Sequence, residues 1–313
     1  MHIAVVGTGG VGGYFGGRLA QAEQDVVFLA RGAHLRAIQE HGLQVESVDG
    51  DFVIRQAQAT DDPARIGPVD LVLLAVKSWQ VPQAIETMRP LMGTETFVVP
   101  LLNGVEAPEQ LATAFGTRRV LGGLCGLFSS VVGPGHIRNV FPRPFVTIGE
   151  LDHGPSERCD HLRMLFERAG VQASIAANIH AALWEKLMFV GPFGGVGAVT
   201  RVPVGVLRRQ KETRSVLEGA MREVFVLARA HGVHVADEAV EQALALIDHS
   251  PEQATASMQR DIVEGRPSEL ESQLGVVVRL AQLAGVEVPL HTFLYASLLP
   301  QERMARGEIE LPT

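Results

Sequence analysis

The sequence of 313 residues is 46% hydrophobic and 20% charged, with a formal net charge of −8. This composition excludes a disordered chain, and the acidic balance argues against general affinity for nucleic acid, whose binding needs a basic surface excess. The length exceeds what one hydrophobic core usually fills and predicts two domains.

The first half of the chain predicts alternating strands and helices. Its short apolar runs are typical of buried parallel strands, and the segments between them repeat apolar residues at a helical period. This order predicts a doubly wound, Rossmann-type α/β domain. The predicted elements are strands over 3–6, 26–30, 71–76 and 97–101 and helices over 11–22, 81–92 and 106–115.

Further short strands are predicted in the same half. Residues 43–55 alternate around Asp49-Gly50, a pair common in type I′ turns, and predict an antiparallel hairpin. Other strands are predicted near 120–132, 136–141 and 145–149.

The second half predicts long helices from about Ile179 onward. We therefore place the domain boundary near Ala177, between a Rossmann-type domain over 1–177 and an all-helical C-terminal domain over 178–313. The predicted helices cover 213–231, 237–248, 252–264, 269–284 and 290–306.

The cysteines and the apolar segments indicate the compartment. Cys125 and Cys159 lie far apart, without a second Cys or His at metal-ligand spacing, and are interpreted as buried thiols in a reducing compartment, with no metal site. The N-terminus runs directly into a strand pattern, and the stretch 187–199 is too short to span a bilayer. We expect a cytoplasmic protein that binds no membrane.

A glycine-rich motif follows the first predicted strand and opens the first predicted helix. In such a motif the first glycine permits a tight turn, the second lets the backbone approach a pyrophosphate, and the third packs helix against strand. The helix N-terminus then holds the phosphates. The alternative is a glycine-rich turn without a ligand. The predicted cofactor-binding residues are Gly7, Thr8, Gly9, Gly10, Val11 and Gly12.

The second strand ends at Ala30-Arg31-Gly32, where NAD enzymes usually place an acid on the ribose hydroxyls. Arg31 instead offers a planar cation for a 2′-phosphate and favours NADP. A solvated arginine at a strand end is the alternative.

Polar residues also follow two later strands. Lys77 comes after the run 71–76, and Asn103 after the run 98–102. Ligands of open α/β sheets lie beyond the carboxyl ends of the strands, so we expect both to contact cofactor and substrate beside the nicotinamide. Taken alone, either residue also fits a surface loop.

These motifs resemble the ketopantoate (2-dehydropantoate) reductase family over nearly the whole chain. The resemblance implies NADPH-dependent reduction of the 2-oxo group of ketopantoate to the 2-hydroxy acid, a step towards pantothenate and coenzyme A. It rests on the glycine motif, Ala30-Arg31-Gly32, Val76-Lys77-Ser78-Trp79-Gln80, Asn103-Gly104, Trp184-Glu185-Lys186-Leu187, Ser257-Met258-Gln259-Arg260-Asp261-Ile262, Gly265-Arg266 and Glu269.

The resemblance also implies roles for individual residues. Lys186 resembles the catalytic lysine of the family, Glu269 its substrate-contacting carboxylate, and Asn103 and Ser257 its substrate-binding residues. An ammonium group could stabilise and protonate the oxygen that gains charge during reduction. From the residues alone, Lys186 fits a solvated lysine on an amphipathic helix better than a catalytic one, and Glu269 fits an acid in a first helical turn beside a capping Ser268.

The chain departs from the family at two positions where we expect asparagines after the lysine. Val190 and Gly194 stand there, and Pro192 between them lacks a backbone donor and can kink the helix. A lost amide removes hydrogen bonds worth about 1 kcal/mol each. The departure keeps a bulkier or less polar 2-oxo acid open as the substrate.

Two rival functions remain. One is a different dehydrogenase on the same architecture, acting on an imine, a 3-hydroxy acid or a polyol phosphate. The other is a sensor that binds NADPH without turnover. In each case the partner is a small molecule, and the resemblance alone suggests a homodimer.

Overall fold

The computed structural model describes residues 1–309. The chain divides into two units, residues 1–102 with 106–179, and residues 103–105 with the chain from 180 onward. The division after residue 179 lies beside the boundary expected near Ala177, but the sequence did not assign residues 103–105 to the second unit.

The first unit contains all the strands that residues 1–309 form, together with five helices. The helices are α1 (Gly10–Gln21), α2 (Gly32–His41), α3 (Val81–Met88), α4 (Ala107–Phe115) and α5 (Glu157–Arg168). The strands are β1 (His2–Val6), β2 (Asp25–Leu29), β3 (Leu43–Ser47), β4 (Phe52–Ile54), β5 (Gln58–Thr60), β6 (Val69–Leu74), β7 (Met92–Pro100), β8 (Leu121–Gly126), β9 (Ser129–Gly133), β10 (His136–Asn139), β11 (Phe145–Glu150) and β12 (Gln172–Ile175).

The main sheet is parallel and has the strand order β5-β2-β1-β6-β7. In the central strand Ile3, Ala4 and Val5 are fully buried, as a parallel sheet covered on both faces requires. The chain reverses its winding between β1 and β6, which places the switch point of a Rossmann-type sheet beside the end of β1. The predicted α/β fold is confirmed.

The predicted helix over 81–92 is too long. α3 ends at Met88, and a 3-10 turn over Arg89–Leu91 leads into β7. Pro90 explains the early end because it has no backbone N–H to continue the helix.

Two smaller sheets complete the first unit, with the orders β4-β3-β10-β9 and β12-β11-β8. The predicted hairpin is present, since β3 and β4 pair antiparallel. Its predicted turn is wrong. The Gly50 amide donates to Ser47 O at 2.8 Å, so Val48 and Asp49 occupy the centre of the turn and Gly50 follows with a φ of 108°. The Asp51 carboxylate accepts from the Ser47 amide at 2.8 Å and holds this longer loop.

The second unit is helical. Its core is one apolar cluster to which most of its helices contribute, and it includes Trp184, Met221 and Leu274. Its elements are α6 (Ile179–Thr200), which begins at the last residue of the first unit, α7 (Val204–Arg209), α8 (Lys211–Ala230), α9 (Ala239–His249), α10 (Ser257–Val263), a π-helix (Glu271–Gly275), α11 (Val276–Ala284) and α12 (Pro289–Ala305).

Several elements of the second unit differ from expectation. α7 was not predicted, and a π-helix occupies the first part of the helix predicted over 269–284. α6 continues through Pro192 to Thr200 as a single helix. α10 begins at Ser257, five residues later than predicted. The carbonyls of Glu252 and Ala254 accept from backbone amides at the start of α7, at 2.9 and 3.0 Å, so this segment binds α7 and forms a turn in place of a helix. None of the helices formed by residues 1–309 is both long and apolar enough to cross a bilayer.

Candidate active site

The turn after β1 is built so that glycine is required at three places. A Cβ on Gly10 would lie 2.5 Å from the Ser129 carbonyl oxygen. Gly7 has a φ of 97°, and a Cβ on it would lie 2.8 Å from the Ala75 carbonyl oxygen. A Cβ on Gly12 would lie 2.1 Å from the carbonyl oxygen of Gly7. The absence of side chains at these positions therefore lets the backbone of α1 pack closely against the backbone that follows β1 and β6.

The motif is open at Gly9. Gly9 caps α1, and no protein atom lies within 4 Å of where its Cβ would be. The first turn of α1 contains no acidic residue and Gly9 provides no side-chain cap. The amides and dipole of this N-terminus therefore fit an anionic pyrophosphate.

The other two residues of the motif face the protein. The Thr8 hydroxyl donates to Leu29 O at 2.9 Å and is buried, and Val11 packs against the core of the first unit. We expect both to contact a cofactor through their backbone atoms only.

Arg31 lies two residues beyond the end of β2, at the N-cap of α2, and its side chain is exposed. Gly32 follows with a φ of 57°. The structure thus places Arg31 beyond the carboxyl end of β2, at the edge of the sheet along which the ligands of such folds lie.

Sequence reasoning missed His34, which lies in the first turn of α2. Its Nδ1 accepts from the Gly135 amide at 2.9 Å. Burial lowers the pKa of His34, and a backbone hydrogen bond with Thr8 opposes this shift only in part. A neutral imidazole therefore connects the glycine-rich turn to the loop before β10. It was missed because α2 itself was not predicted.

Lys77 follows β6 by three residues, and its neighbour Val76 lies against Gly7. The Lys77 amide donates to Gln80 Oε1 at 3.1 Å, and its ammonium lies 5.8 Å from the centre of the Trp79 ring. The structure thus places the lysine beside the glycine turn, at the switch point of the sheet.

Asn103 and Glu269 meet directly in the second unit. Asn103 Nδ2 donates to Glu269 Oε2 at 2.8 Å, and Glu269 is only 5% exposed. Next to them, Gly104 has a φ of 93°, and a Cβ on it would lie 2.9 Å from Ser272 O. The glycine lets the loop 103–105 approach the start of the π-helix. Such helices are often found at functional sites.

Lys186 is half-buried in α6, between the buried Trp184 and Leu187. Val190 and Gly194 follow at intervals of four residues and so share its face of the helix. Val190 is half-buried, and a Cβ on Gly194 would lie 2.8 Å from Met258 Cε. Beyond the lysine this face is therefore apolar, because the place of a side chain at residue 194 is taken by Met258.

Ser257 is the first residue of α10 and is half-buried. The next two residues pack α10 against α6, since Met258 covers Gly194 and Gln259 covers Gly197. The structure therefore places the predicted serine on the helix that contacts the lysine-bearing helix.

Each unit contains side chains that suit the binding of an anion that carries a carbonyl group. The first unit supplies an anion-binding helix terminus with Arg31 and Lys77, and the second supplies Lys186 with the Asn103–Glu269 pair. Among residues 1–309, no group of three or more His, Cys, Asp or Glu side chains could hold a metal ion. The lysine, arginine, asparagine and glutamate side chains described above can stabilise charge and transfer protons.

Known proteins resemble the chain over nearly all of its length. A family model described as ketopantoate reductase PanE/ApbA matches residues 3–153, and the model of the C-terminal part of that family matches residues 178–302. A 2-dehydropantoate 2-reductase of Nostoc sp. is 31% identical over 302 residues, which cover 94% of this chain and 93% of that protein.

Two crystal structures extend the comparison to the fold. The 2-dehydropantoate 2-reductase of Geobacter metallireducens is 32% identical with a TM-score of 0.90, over 96% of this chain and 99% of that one. A PanE/ApbA family ketopantoate reductase of Ralstonia eutropha is 30% identical with a TM-score of 0.89, over 98% of this chain and 100% of that one.

Proposed function

Because the chain belongs to the ketopantoate reductase family, an NADP-dependent family of oxidoreductases, we propose that it reduces the 2-oxo group of 2-dehydropantoate with NADPH. The product would be pantoate, the 2-hydroxy acid used for pantothenate. One observation carries the proposal above the others. The Asn103 amide is bonded to the buried Glu269 carboxylate, which joins two of the predicted substrate residues across 166 positions of sequence.

The first unit would bind the cofactor. The backbone at Gly7, Gly9 and Gly12 fits the pyrophosphate, and Arg31 fits the 2′-phosphate that distinguishes NADPH from NADH. When bound, NADPH supplies the hydride for the carbonyl carbon of the substrate.

The second unit would hold the substrate and supply the proton. Lys186 would stabilise the charge that develops on the carbonyl oxygen and then protonate it, a contribution typically of about 10²–10⁴-fold. Asn103, Ser257 and Glu269 would bind the polar groups of the substrate, and Lys77 of the first unit would act at the nicotinamide end. The half-burial of Lys186 limits competition by water for the same oxygen.

A second candidate substrate is a 2-oxo acid with a larger or less polar side chain. The face of α6 beyond Lys186 favours it, since Val190 and the Met258-covered Gly194 offer no hydrogen-bond donor there. A polar hydroxyl placed against this face would lose a hydrogen bond, which costs about 1–3 kcal/mol if it is left buried and unpaired.

The test is the oxidation of NADPH, followed by the absorbance of the reduced nicotinamide. Ketopantoate is compared with 2-oxo acids of increasing apolar size, and NADH serves as the cofactor control. Turnover with ketopantoate at the highest kcat/KM supports the proposal. A larger acid with the highest kcat/KM supports the second candidate, and NADPH binding without turnover of any acid contradicts both.

A cytoplasmic location and a homodimer belong to the same proposal. The burial of Cys125 and Cys159 without a disulfide is consistent with a reducing compartment. The homodimer follows from the resemblance, and analytical ultracentrifugation at several protein concentrations tests it. A single sedimenting species with the mass of the monomer would contradict the dimer.

A further inference from the structure

A second buried carboxylate binds the residue that precedes Glu269. Glu302, near the end of α12, is 5% exposed. The Ser268 amide donates to both of its oxygens at 3.0 Å, and the Ser268 hydroxyl donates to Oε2 at 2.5 Å. Arg306, the residue that caps the end of α12, donates to Oε1 at 2.7 Å. The Glu302 carboxylate thus accepts hydrogen bonds from Ser268 and from a neutralising arginine.

Ser268 is fully buried and is fixed from several directions. Its hydroxyl accepts from the Leu270 amide at 3.2 Å, and its carbonyl accepts from Arg306 Nη2 at 3.1 Å. Ser268, which precedes Glu269, therefore connects Leu270, which follows it, to the carboxylate of Glu302.

The other side of Glu269 is fixed by the π-helix. Its carbonyl accepts from the Gln273 amide at 3.1 Å and from the Ser272 hydroxyl at 3.2 Å. The backbone of Glu269 is thereby held from both sides. Its carboxylate accepts a hydrogen bond from the Asn103 amide.

We propose that Glu302 is a positioning residue for the reduction, which acts through Ser268 to fix the Glu269 carboxylate in its place against Asn103. This inference rests on the proposed function, because it takes Glu269 as a contact of the substrate. Glu302 itself touches neither substrate nor cofactor. It works by orienting a residue that does, as supporting groups behind an active site commonly do.

Glutamine at residue 302 keeps the size of the side chain but has one acceptor oxygen in place of two and leaves Arg306 without its charge partner. The Ser268 segment can then shift, and small misplacements of reacting groups can lower rates by about 10²-fold. Glu302→Gln should lower kcat/KM for the 2-oxo acid by about 10-fold or more, while the Kd for NADPH changes by less than about twofold.

Glu223 provides a matched control. This carboxylate on α8 is 10% exposed and accepts from the Leu290 and His291 amides at 2.7 and 2.9 Å, so it also fixes the start of a helix. The same exchange, Glu223→Gln, should lower the Tm to a similar extent without the loss of kcat/KM. Equal losses of kcat/KM in the two variants would mean that Glu302 is only structural.

A double-mutant cycle identifies the path of the effect. In a Glu269→Gln background, Glu302→Gln should change kcat/KM by less than about twofold, because the group it positions has been altered. A loss that persists in full in that background overturns the proposal. Normal kcat/KM in Glu269→Gln alone contradicts the role of Glu269 in the proposed function, whatever Glu302 does.

Ser268→Ala keeps the proposal testable if Glu302→Gln does not fold. It removes the hydroxyl bonds to Glu302 and Leu270 but retains the Ser268 amide and the Glu302–Arg306 ion pair. We expect a smaller loss of kcat/KM in the same direction, of about 3- to 10-fold. Unchanged kcat/KM in a folded Ser268→Ala variant would overturn the role of this connection.

Discussion

Replacing Asn103 with alanine removes a charge-assisted hydrogen bond from a buried carboxylate. The bond from Asn103 Nδ2 to Glu269 Oε2 is 2.8 Å long, and with Glu269 5% exposed, water can replace the lost donor only in part. Hydrogen bonds to charged groups contribute about 1.5–3 kcal/mol. A factor of ten corresponds to about 1.4 kcal/mol, so we expect kcat/KM for the 2-oxo acid to fall about 10- to 150-fold.

Asn103→Asp sharpens this prediction because the two side chains have nearly the same shape. It would place a second carboxylate beside that of Glu269, and like charges at this distance repel. We therefore expect a larger loss of kcat/KM than in Asn103→Ala. The assay is NADPH oxidation at varied 2-oxo acid, with the Tm of each variant measured in parallel.

Asn139 is the control for a buried amide without a role in the site. It is 1% exposed, and its side chain bonds only Ser47 and the backbone of Phe141 in the part of the chain that the structure describes. Asn139→Ala should lower the Tm and leave kcat/KM nearly unchanged. If folded Asn103→Ala keeps its kcat/KM within about twofold, the pair with Glu269 is not part of the substrate site.

Four further predictions follow from single groups. Lys186→Ala should lower kcat by more than about tenfold while the Kd for NADPH is kept, and unchanged kcat would contradict its role as proton donor. Arg31→Ala should raise the Kd of NADPH far more than that of NADH, whereas equal losses would contradict the 2′-phosphate contact. Gly12→Ala should abolish NADPH binding in calorimetry, because its Cβ would lie 2.1 Å from Gly7 O. Burial, and then the hydrogen bond to Glu271, raise the pKa of Tyr295 to about 12. Its phenolate absorbance, isolated by subtracting Tyr295→Phe, should therefore appear near pH 12, and the stability it contributes below about pH 10 should be lost as the pH rises through 12. Ionisation of Tyr295 in the folded protein near pH 10 would contradict this.

The sequence predicted four of the five strands of the main sheet and most helices because their patterns are local. β1, α1 and β2 each follow the period of their own structure, and the glycine at 12 is required by the Gly7 carbonyl within the same turn. The residues after β2 and β6 could be placed for the same reason, since strand ends in a parallel sheet lie along one edge.

The errors arose where distant backbone groups decide the structure. Residues 252–256 have a helical pattern, but the carbonyls of Glu252 and Ala254 bond the start of α7 and the helix begins only at Ser257. The turn at Asp49-Gly50 was displaced by the Asp51 side chain, which bonds the Ser47 amide. Tertiary contacts of this kind override local propensity.

Within the site, the roles that need two segments were invisible in the sequence. The bond of Asn103 to Glu269 and the bonds of Ser268 to Glu302 join residues 166 and 34 positions apart. From the sequence alone, Ser268 is only a candidate helix cap. The contact of Met258 with Gly194 could likewise not be predicted from a sequence pattern, because a glycine does not indicate which side chain packs against it.

The membership of residues 103–105 in the second unit means that this unit is assembled from two separate pieces of the chain. A fragment that begins at His180 would contain Glu269 and Ser272 but neither the amide nor the glycine that meets them. A crossover after residue 179 that exchanges the C-terminal halves of two relatives would therefore take the loop 103–105 from one parent. Glu269 and Ser272, which contact this loop, would come from the other. A chimera that also transfers residues 103–105 takes both pieces from the same parent. Recombination within this fold therefore preserves the contact only when the two segments are inherited together.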